Sequence, residues 1–385
     1  MRAGVGFSTG AEAAASVTEA FHAARAASGP PVLSLVFTTD AYECDAVWRA
    51  MRRLSGPSPF VGFQAGGIFS RQGVLPQGIG IATLSGDIRV ATHIEPGLDR
   101  DPWATGQRAG KALSRRQPES GLVLMLPDGF PPGIYEATRS LYATLGPALR
   151  YAGGGSGDSL KFAHTCQFTE HALERNALAL AAVSGCEVGA AIGHGWLPHG
   201  APLIITRSQG KRVFEIDGRP AFEVYRESLG IDVPRQGFRA ISMVNPFGFV
   251  DMSGNYIIRD ARAVNDDDSL DFVTEVPDKG VAQLMRGEVD GLVATAREVA
   301  ARAVAGLRSP QLALAFDCIS RYLLMGTEFE REVAAVADGL GPEIPFLGAL
   351  TFGEIGSFGD VPLFHNKTIA MAALGQETDG QAAWI

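Results

Sequence analysis

Two short stretches near the carboxyl end carry side chains that can do chemistry. Cys318 follows an apolar run and stands three residues before Arg321, whose charge would lower the pKa of the thiol and make it reactive. The alternative is a small buried apolar residue at the end of a strand. Glu354 stands in a Gly-Glu-Ile-Gly turn that can direct a carboxyl group into a cleft, but the sequence shows no partner base. Both interpretations of these residues stay open.

Two histidines suggest a second kind of chemistry. His194 lies between two glycines, and His365 precedes Asn366 just before the last apolar run. Such a histidine commonly satisfies a local hydrogen bond, but in an apolar pocket it can also be the axial ligand of non-covalent haem b. The chain has no C-x-x-C-H sequence, which excludes covalent haem attachment. His194 and His199 lack the spacing of a helical zinc site, so no metal is predicted.

A glycine-rich turn at residues 153–158 invites a phosphate-binding interpretation, because backbone N–H groups in such a turn can hold an anion. A P-loop, however, needs Gly-Lys-Ser/Thr before a helix, and the residues after Asp158 are typical of a strand. We therefore expect the glycines to allow close packing between sheet and turn, or to shape part of a ligand pocket.

The four cysteines, Cys44, Cys166, Cys186 and Cys318, are far apart and form no C-x-x-C pair. This spacing argues against a structural zinc site and against a disulfide framework.

Composition excludes several classes of protein. The chain has 385 residues, of which 46% are hydrophobic and 19% charged, and this length suits two or three folded domains. With a net charge of −9, nucleic-acid binding is disfavoured, and the basic pairs Arg52-Arg53 and Arg115-Arg116 are expected on solvated helix faces. The start of the chain has no signal-peptide pattern, and no apolar stretch reaches the ~18 residues of a membrane helix. We expect a soluble, cytoplasmic protein without a nucleic-acid or membrane partner.

These side chains must be positioned by alternating strands and helices. Apolar patterns predict a strand at 31–37, a helix at 41–54, a strand at 59–63, and two more strands at 78–84 and 88–94. The same order recurs from Leu122 and again from Leu312. The predicted fold is therefore α/β, with mixed sheets and covering helices, built from about three duplicated strand-helix-strand-strand units.

The segment from 200 to 306 departs from this pattern. Its predicted strands are 202–206, 213–216, 240–244 and 256–259, and its predicted helices are 221–229 and 294–307. A helix at 11–28 is expected to pack on the first sheet, and the polar tail at 375–385 is expected to fray. We predict two domains, residues 1–212 and 213–385.

In the order and spacing of its motifs, the chain resembles the FIST proteins, which have an N-terminal and a C-terminal part. The resemblance covers roughly residues 5 to 374. It is carried by Val5-Gly6-Phe7-Ser8, Val61-Gly62-Phe63-Gln64-Ala65-Gly66-Gly67, Gly193-His194-Gly195-Trp196, Phe214-Glu215-Ile216-Asp217-Gly218, Ile257-Ile258-Arg259, Cys318 with Arg321, Gly353-Glu354-Ile355-Gly356 and Phe364-His365-Asn366-Lys367-Thr368.

The resemblance implies a bacterial sensory module and not an enzyme. The implied ligand is an amino acid or a similar metabolite, and the implied partner is a separate signalling protein such as a histidine kinase, with no cofactor. The motif positions imply a ligand site made of Arg259, Cys318, Arg321, Glu354, His365 and Asn366.

In that site, Arg259 or Arg321 would clamp a carboxylate and Glu354 would accept an ammonium group. Asp317 and Lys367 depart from the family pattern, so the ligand's identity does not transfer with the motifs.

Two alternatives remain. Some stand-alone members of the resembled family are haem proteins that sense nitric oxide and regulate a histidine kinase, which would make His194 or His365 the axial ligand. The other alternative is an enzyme that uses Cys318 or Glu354, although no substrate is suggested.

Overall fold

The structure is a computed structural model that describes residues 1–115, 120–251 and 254–377. Arg116, in one of the predicted basic pairs, and the predicted tail from residue 378 onward lie outside the described residues. The chain is α/β, with mixed sheets covered by helices, as predicted.

The helices of the described residues are α1 (Ala13–Ser28), α2 (Cys44–Ser55), α3 (Pro102–Ser114), α4 (Ile134–Leu145), α5 (Ala221–Leu229), α6 (Phe238–Val244), α7 (Val289–Val304), α8 (Ile319–Met325) and α9 (Phe329–Leu340), with a short 3₁₀ turn at Gly326–Glu328.

The first strands are β1 (Arg2–Ser8), β2 (Leu33–Thr38), β3 (Phe60–Gln64), β4 (Gly67–Ser70), β5 (Gly73–Leu75), β6 (Ile79–Ser85) and β7 (Arg89–Pro96). The next are β8 (Gly121–Pro127), β9 (Leu149–Gly154), β10 (Gln167–Thr169), β11 (Leu173–Glu174), β12 (Ala177–Ser184) and β13 (Cys186–Gly193). Then follow β14 (Leu197–Gln209), β15 (Arg212–Ile216), β16 (Arg219–Pro220), β17 (Phe247–Val250), β18 (Tyr256–Arg259), β19 (Ala261–Val264), β20 (Leu270–Phe272) and β21 (Val281–Arg286). The last are β22 (Pro310–Cys318), β23 (Phe346–Thr351), β24 (Glu354–Gly356), β25 (Leu363–His365) and β26 (Ile369–Gln376).

Three six-stranded sheets share one arrangement. Sheet 1 has the order β1-β6-β2-β3-β10-β11, sheet 2 has β7-β12-β8-β9-β24-β25, and sheet 3 has β13-β26-β22-β23-β4-β5. In each sheet the third and fourth strands are parallel and the hairpin at the end comes from a different third of the chain. Each hairpin therefore ties one sheet to another. That the units arose by duplication stays a prediction.

The three sheets enclose a common apolar core. Phe37 of sheet 1 packs against Phe316 of sheet 3, with ring centroids 5.8 Å apart, and Leu124 of sheet 2 belongs to the same cluster. The outer faces are covered by helices, with α1 and α2 on sheet 1, α3 and α4 on sheet 2, and α7 and α9 on sheet 3. Such a sheet, buried on both faces, explains the nearly continuous apolar runs of its central strands.

A fourth sheet forms between β13 and α7. Its order is β18-β17-β21-β14-β15-β20-β19, with β16 beside β15, and α5 and α6 share its apolar cluster. We call this unit, residues 197–286, the inserted unit. It stands against the ends of sheets 2 and 3 and supplies one side of the cleft described below.

Two local predictions are wrong, and one helix was not predicted. The residues after Asp158, expected to form a strand, have an irregular backbone up to the start of β10. The run at 240–244, predicted as a strand, belongs to helix α6, because Phe238 and Ser242 are buried one turn apart and Gly237 begins the helix with φ of +90°. Helix α3 was not predicted, although Asp101 caps it by accepting a hydrogen bond from the Ala104 N–H at 2.9 Å.

The expectation of no disulfide is wrong. Cys44, at the start of α2, is bonded to Cys166, which precedes β10, and their Cα atoms lie 6.5 Å apart. The two residues are 122 positions apart in the chain, so spacing gave no sign of the pairing. The fold brings them together because β10 joins the edge of sheet 1 beside β3.

The predicted division at residue 212 stays a prediction. Strands from both sides of that position share sheets 2 and 3. Among the described residues, no helix combines the length and the apolar character that crossing a membrane requires.

Candidate functional site

A cleft of about 410 Å³ lies where the inserted unit meets sheets 2 and 3. We call it the ligand cleft. Its floor follows the carboxyl ends of β8 and β22, and Cys318, the last residue of β22, lines it. In α/β folds, ligands bind at the carboxyl ends of parallel strands, because loops there can converge on one space. The fold therefore places this cleft at a favourable position.

One wall of the ligand cleft is aromatic. Phe130, Phe162 and Phe352 meet pairwise, with centroid distances of 5.4, 5.5 and 5.7 Å. They come from three separate loops, after β8, before β10 and after β23. Phe162 is 64% exposed. This wall offers a ligand a surface for apolar or ring groups.

The opposite wall is polar and centres on Asp260, which follows β18 and is 3% exposed. Its Oδ2 accepts a hydrogen bond from Arg239 Nη1 at 2.7 Å and lies 3.5 Å from Lys367 Nζ. Its Oδ1 is buried and has no hydrogen-bond partner among the described residues. A buried acceptor without a donor is costly, so this atom is suited to accept a hydrogen bond from a ligand.

Two further cations line the cleft. Lys211 lies in the turn between β14 and β15, and Arg262 lies in β19. Among the described residues neither side chain is in ion-pair contact with a carboxylate, although Arg262 also acts electrostatically on Asp271. Both cations can therefore help to neutralise an anionic group of a ligand.

Cys318 and Asn366 are the two predicted site residues that line the ligand cleft. The Cys318 Sγ lies 3.0 Å from the Ser320 Oγ, and burial raises the pKa of this thiol to about 12. Asn366 Oδ1 accepts a hydrogen bond from the Thr274 hydroxyl at 2.6 Å, which joins the inserted unit to the turn before β26. Cys318 is therefore a neutral thiol, which does not fit an activated nucleophile.

Arg321 lies beneath the cleft and is fully buried. Its guanidinium donates to Glu332 Oε1 at 2.9 Å, to the His194 carbonyl at 2.6 Å and to the Leu292 carbonyl at 3.1 Å, and it contacts Asp317 Oδ1 at 3.1 Å. Burial acts to lower the pKa of Arg321, but the carboxylates of Glu332 and Asp317 hold it above its ordinary value. These protein partners engage the group that was expected to clamp a ligand carboxylate.

Arg259 is also engaged by the protein. It is 6% exposed, and it donates to the Glu275 carbonyl at 3.0 Å and to the Ile258 carbonyl at 3.2 Å. Burial lowers the pKa of its guanidinium to about 10. Arg259 braces the strand that leads to Asp260 and stands behind the cleft wall.

Glu354 is fully buried in β24 and is hydrogen-bonded through both oxygens. Oε1 accepts from the Thr351 hydroxyl at 2.8 Å, and Oε2 accepts from the Thr368 hydroxyl at 2.8 Å and the Thr368 N–H at 3.2 Å. Burial raises the pKa of this carboxyl to about 8. Glu354 joins the turn after β23 to the start of β26.

Of the two candidate haem ligands, His365 lies inside the protein and His194 is partly buried. His365 is fully buried, its Nε2 lies 3.2 Å from the Gly356 carbonyl, and its Nδ1 has no hydrogen-bond partner among the described residues. His194 Nδ1 accepts the Trp196 N–H at 2.9 Å. Phe358 packs against both rings, at 5.9 Å from His194 and 5.3 Å from His365. Burial lowers the pKa of His194 to about 4 and of His365 to about 3, so both rings are neutral.

The predicted site residues thus separate into two layers. Cys318 and Asn366 face the ligand cleft, whereas Arg259, Arg321, Glu354 and His365 form the buried polar cluster beneath it. The sequence patterns did not point to Phe130 and Phe162 or to the residues of the polar wall, which are Asp260, Arg239, Lys211 and Arg262. The position of Asp260 directly after a predicted strand was the signal that could have pointed to it.

The glycine-rich turn shapes the cleft by close packing. A Cβ on Gly157 would come within 1.9 Å of the Phe352 ring, and one on Gly153 within 1.8 Å of the Met125 carbonyl oxygen. These contacts agree with the packing role expected from the sequence.

A larger cavity of about 640 Å³ lies beside the disulfide, and we call it the disulfide cavity. Asp40, Glu43, Asp158, Lys161 and Arg175 are among the charged residues that line it. The ligand cleft is the better candidate site, because it combines a broad apolar wall with a few converging polar groups.

Comparison with known proteins identifies the family pattern in both parts of the chain. The FIST N domain matches residues 32–219, and the FIST C domain matches residues 221–357. Together these matches cover most of the chain.

Its relatives include two forms of an uncharacterised protein of Mycobacterium tuberculosis, MT0656 and Rv0628c, each 25% identical over 97% of this chain and 99% of theirs. The uncharacterised protein MJ1623 of Methanocaldococcus jannaschii is 23% identical over 66% of this chain, and the match spans about half, 54%, of that relative. A structural match to PurLQS from Thermotoga maritima has a TM-score of 0.24 and 11% identity and covers 98% of this chain and 72% of that one. A TM-score this low does not establish a shared fold.

Proposed function

Because the chain belongs to the FIST family and carries both its N and C domains, we propose that it senses an amino acid or a similar metabolite in the ligand cleft. FIST domains are sensory domains of signal transduction rather than catalytic ones. In the same proposal, the protein acts in the cytoplasm on a separate partner such as a histidine kinase.

The observation that carries the proposal is the chemistry of the two cleft walls. Lys211 and Arg262 offer two cations for a carboxylate, and the unpartnered Oδ1 of Asp260 offers an acceptor for an ammonium group. The aromatic wall of Phe130, Phe162 and Phe352 faces the remaining part of the ligand. A zwitterion with an apolar side group would satisfy all three surfaces.

The buried polar cluster supports this site from beneath. Asp260 contacts Lys367, and Arg321 donates to the carbonyls of His194 and Leu292. We assign to Arg259, Arg321 and Glu354 a positioning role, since their polar groups already bind the protein. A ligand that changes the position of Asp260 would thereby act on the interior of the C domain.

The haem alternative has less support. Neither His194 nor His365 lines the ligand cleft or the disulfide cavity, and Phe358 packs against both rings. The unpartnered Nδ1 of His365 is the single feature that favours it. We therefore propose that the chain binds no haem. Absence of a Soret band after titration with haem is the expected result, and a saturable band would overturn this assignment.

A thermal-shift screen of amino acids and related metabolites tests the proposed function. We expect at least one compound to raise the Tm of the wild type in a concentration-dependent way. Leu323→Trp places a large ring at an exposed position of the cleft lining and should abolish that shift. Leu197→Trp is the matched control, because Leu197 is 68% exposed on β14 and does not line the cleft. A complete screen without a stabilising compound would contradict the proposal.

A further inference from the structure

One irregular segment separates the ligand cleft from the disulfide cavity. We call residues 157–165, between β9 and β10, the bridging segment. Leu160 and Phe162 line the ligand cleft, whereas Lys161 and His164 line the disulfide cavity. Any displacement of this segment therefore changes the ligand cleft, because Phe162 forms part of its aromatic wall.

The bridging segment is held at both of its sides. The Asp40 carboxylate accepts hydrogen bonds from the Ser159 hydroxyl at 2.7 Å and the Ser159 N–H at 3.2 Å, and it lies 2.9 Å from Lys161 Nζ. Cys166, directly after the segment, is bonded to Cys44. Asp40 and Cys44 lie close together in the chain, at and just before the start of α2. The disulfide and the Asp40 contacts therefore both connect this part of the chain to the bridging segment.

The backbone of the bridging segment is strained. Leu160 has φ of +64° and Phe162 has φ of +52°, in a region that L residues rarely adopt. Such conformations persist only where the surrounding contacts enforce them. Weakening one fastening is therefore expected to let the segment relax.

We propose that the Cys44–Cys166 disulfide is a thiol-exchange site that a dithiol reductant opens, and that opening it frees the bridging segment and with it the aromatic wall of the ligand cleft. This is a second input to the protein, and it does not depend on the identity of the proposed ligand.

The accessible sulfur is that of Cys44. Both cysteines line the disulfide cavity, but Cys44 is partly exposed whereas Cys166 is 3% exposed. A thiolate of the dithiol attacks Cys44 Sγ, forming a mixed disulfide and breaking the bond to Cys166, which leaves as a thiolate and takes up a proton. The second thiolate of the reductant then attacks the sulfur of the same reductant molecule that is bonded to Cys44. This step releases Cys44 as a thiolate, which takes up a proton. Two electrons and two protons pass from the dithiol, which becomes a disulfide.

The effect of reduction is confined by the sheet. β10 begins at Gln167, directly after Cys166, and stays paired with β3 through Gln167 and Phe168. Once the disulfide is open, the bridging segment keeps its hydrogen bonds to Asp40 and the bonds that the Phe162 and Ala163 N–H groups donate to Asp158 at 3.0 and 2.9 Å. The ion pair of Lys161 with Asp40 contributes little, because the Lys161 side chain is mostly exposed. The increase in motion is therefore expected in the bridging segment and not in the inserted unit.

Limited trypsin digestion measures this directly, since Lys161 is the cleavage point within the bridging segment. Oxidised protein is compared with protein reduced by dithiothreitol and alkylated, and fragments are quantified by mass spectrometry. We expect cleavage after Lys161 to become about tenfold faster on reduction, as local opening grows. Cleavage after the exposed Lys279 of the inserted unit should keep its rate.

Variants separate the disulfide from other thiols. Cys44→Ser should cleave rapidly after Lys161 with or without reductant, and Cys186→Ser should behave like the wild type, because Cys186 is a free cysteine. The proposal is overturned if oxidised protein contains no Cys44–Cys166 linked peptide, or if reduction leaves the Lys161 rate unchanged. Equal acceleration after Lys161 and Lys279 would also overturn it, since that result shows general unfolding.

Discussion

Lys367 Nζ lies 3.5 Å from Asp260 Oδ2, and this contact joins the wall of the ligand cleft to the buried polar cluster. Lys367 is fully buried in the turn before β26, whereas Asp260 belongs to the inserted unit. The same ammonium donates to the Met243 carbonyl at 2.9 Å and lies 5.1 Å from the centre of the Trp196 ring. One buried cation therefore fastens the inserted unit to sheets 2 and 3.

Lys367→Met is expected to lower the free energy of unfolding by about 2 to 4 kcal/mol. The reason is that the Met243 carbonyl and the buried Asp260 carboxylate both lose the Lys367 ammonium, which leaves Arg239 as the one cation in contact with Asp260 among the described residues. Urea denaturation measures the change. Lys279→Met, at an exposed position, is the matched control and should change stability by less than about 0.5 kcal/mol. Equal effects of the two substitutions would contradict the role given to Lys367.

Because of Glu354, we expect stability to fall as the pH rises from about 4.5 to about 8. The pKa of Glu354 is about 8 in the folded protein against 4.5 in the unfolded chain, so the folded state alone keeps the proton between these values. The free energy of unfolding therefore falls as pH rises through this window, by about 1.4 kcal/mol per pH unit from this one group. Glu354→Gln carries no proton to lose, so its stability should fall less steeply between pH 5 and 8. Parallel profiles of wild type and variant would show that Glu354 is ionised when folded.

Because of His365, we expect the free energy of unfolding to fall as the pH is lowered, which is the opposite dependence to that caused by Glu354. Burial, together with the nearby charge of Arg259, lowers the pKa of His365 to about 3 from 6.5. The unfolded chain binds this proton first as pH falls below 6.5, so stability falls toward acid pH. His194 acts in the same direction, with a pKa of about 4. In NMR spectra the ring signals of both residues should keep their positions from pH 8 to pH 5, and a titration of either ring in that range would contradict their burial as neutral groups.

The sequence predicted the layered fold because buried strands and amphipathic helices leave clear periodic patterns. Helix α5 was predicted at its observed bounds, and the helix at 11–28 was predicted within two residues of α1. Helix α6 was missed because five apolar or small residues in a row suit a strand as well as a helix. The exchanged hairpins, such as β24 with β25, leave no local signal, since their partners lie far away in the chain.

The site shows the same limit. Cys318 and Asn366 were expected from motif position and do line the cleft. Arg321 and Glu354 were expected there too, but the sequence does not reveal that each would find its hydrogen-bond partners within the protein. Lys211 and Arg262 belong to the inserted unit and reach the cleft through tertiary packing alone. Charge by itself does not distinguish a cleft residue from a solvated one.

Binding of a charged metabolite in the ligand cleft is tested most directly by calorimetric titration of the compound that stabilises the protein most. We predict one site per chain, and a Kd at least ~10-fold weaker in Lys211→Ala/Arg262→Ala, since each lost charge contact costs about 1 kcal/mol or more. Arg53→Ala, at an exposed position of α2, should bind like the wild type. Unchanged affinity in the double variant, with its fold intact, would contradict the account.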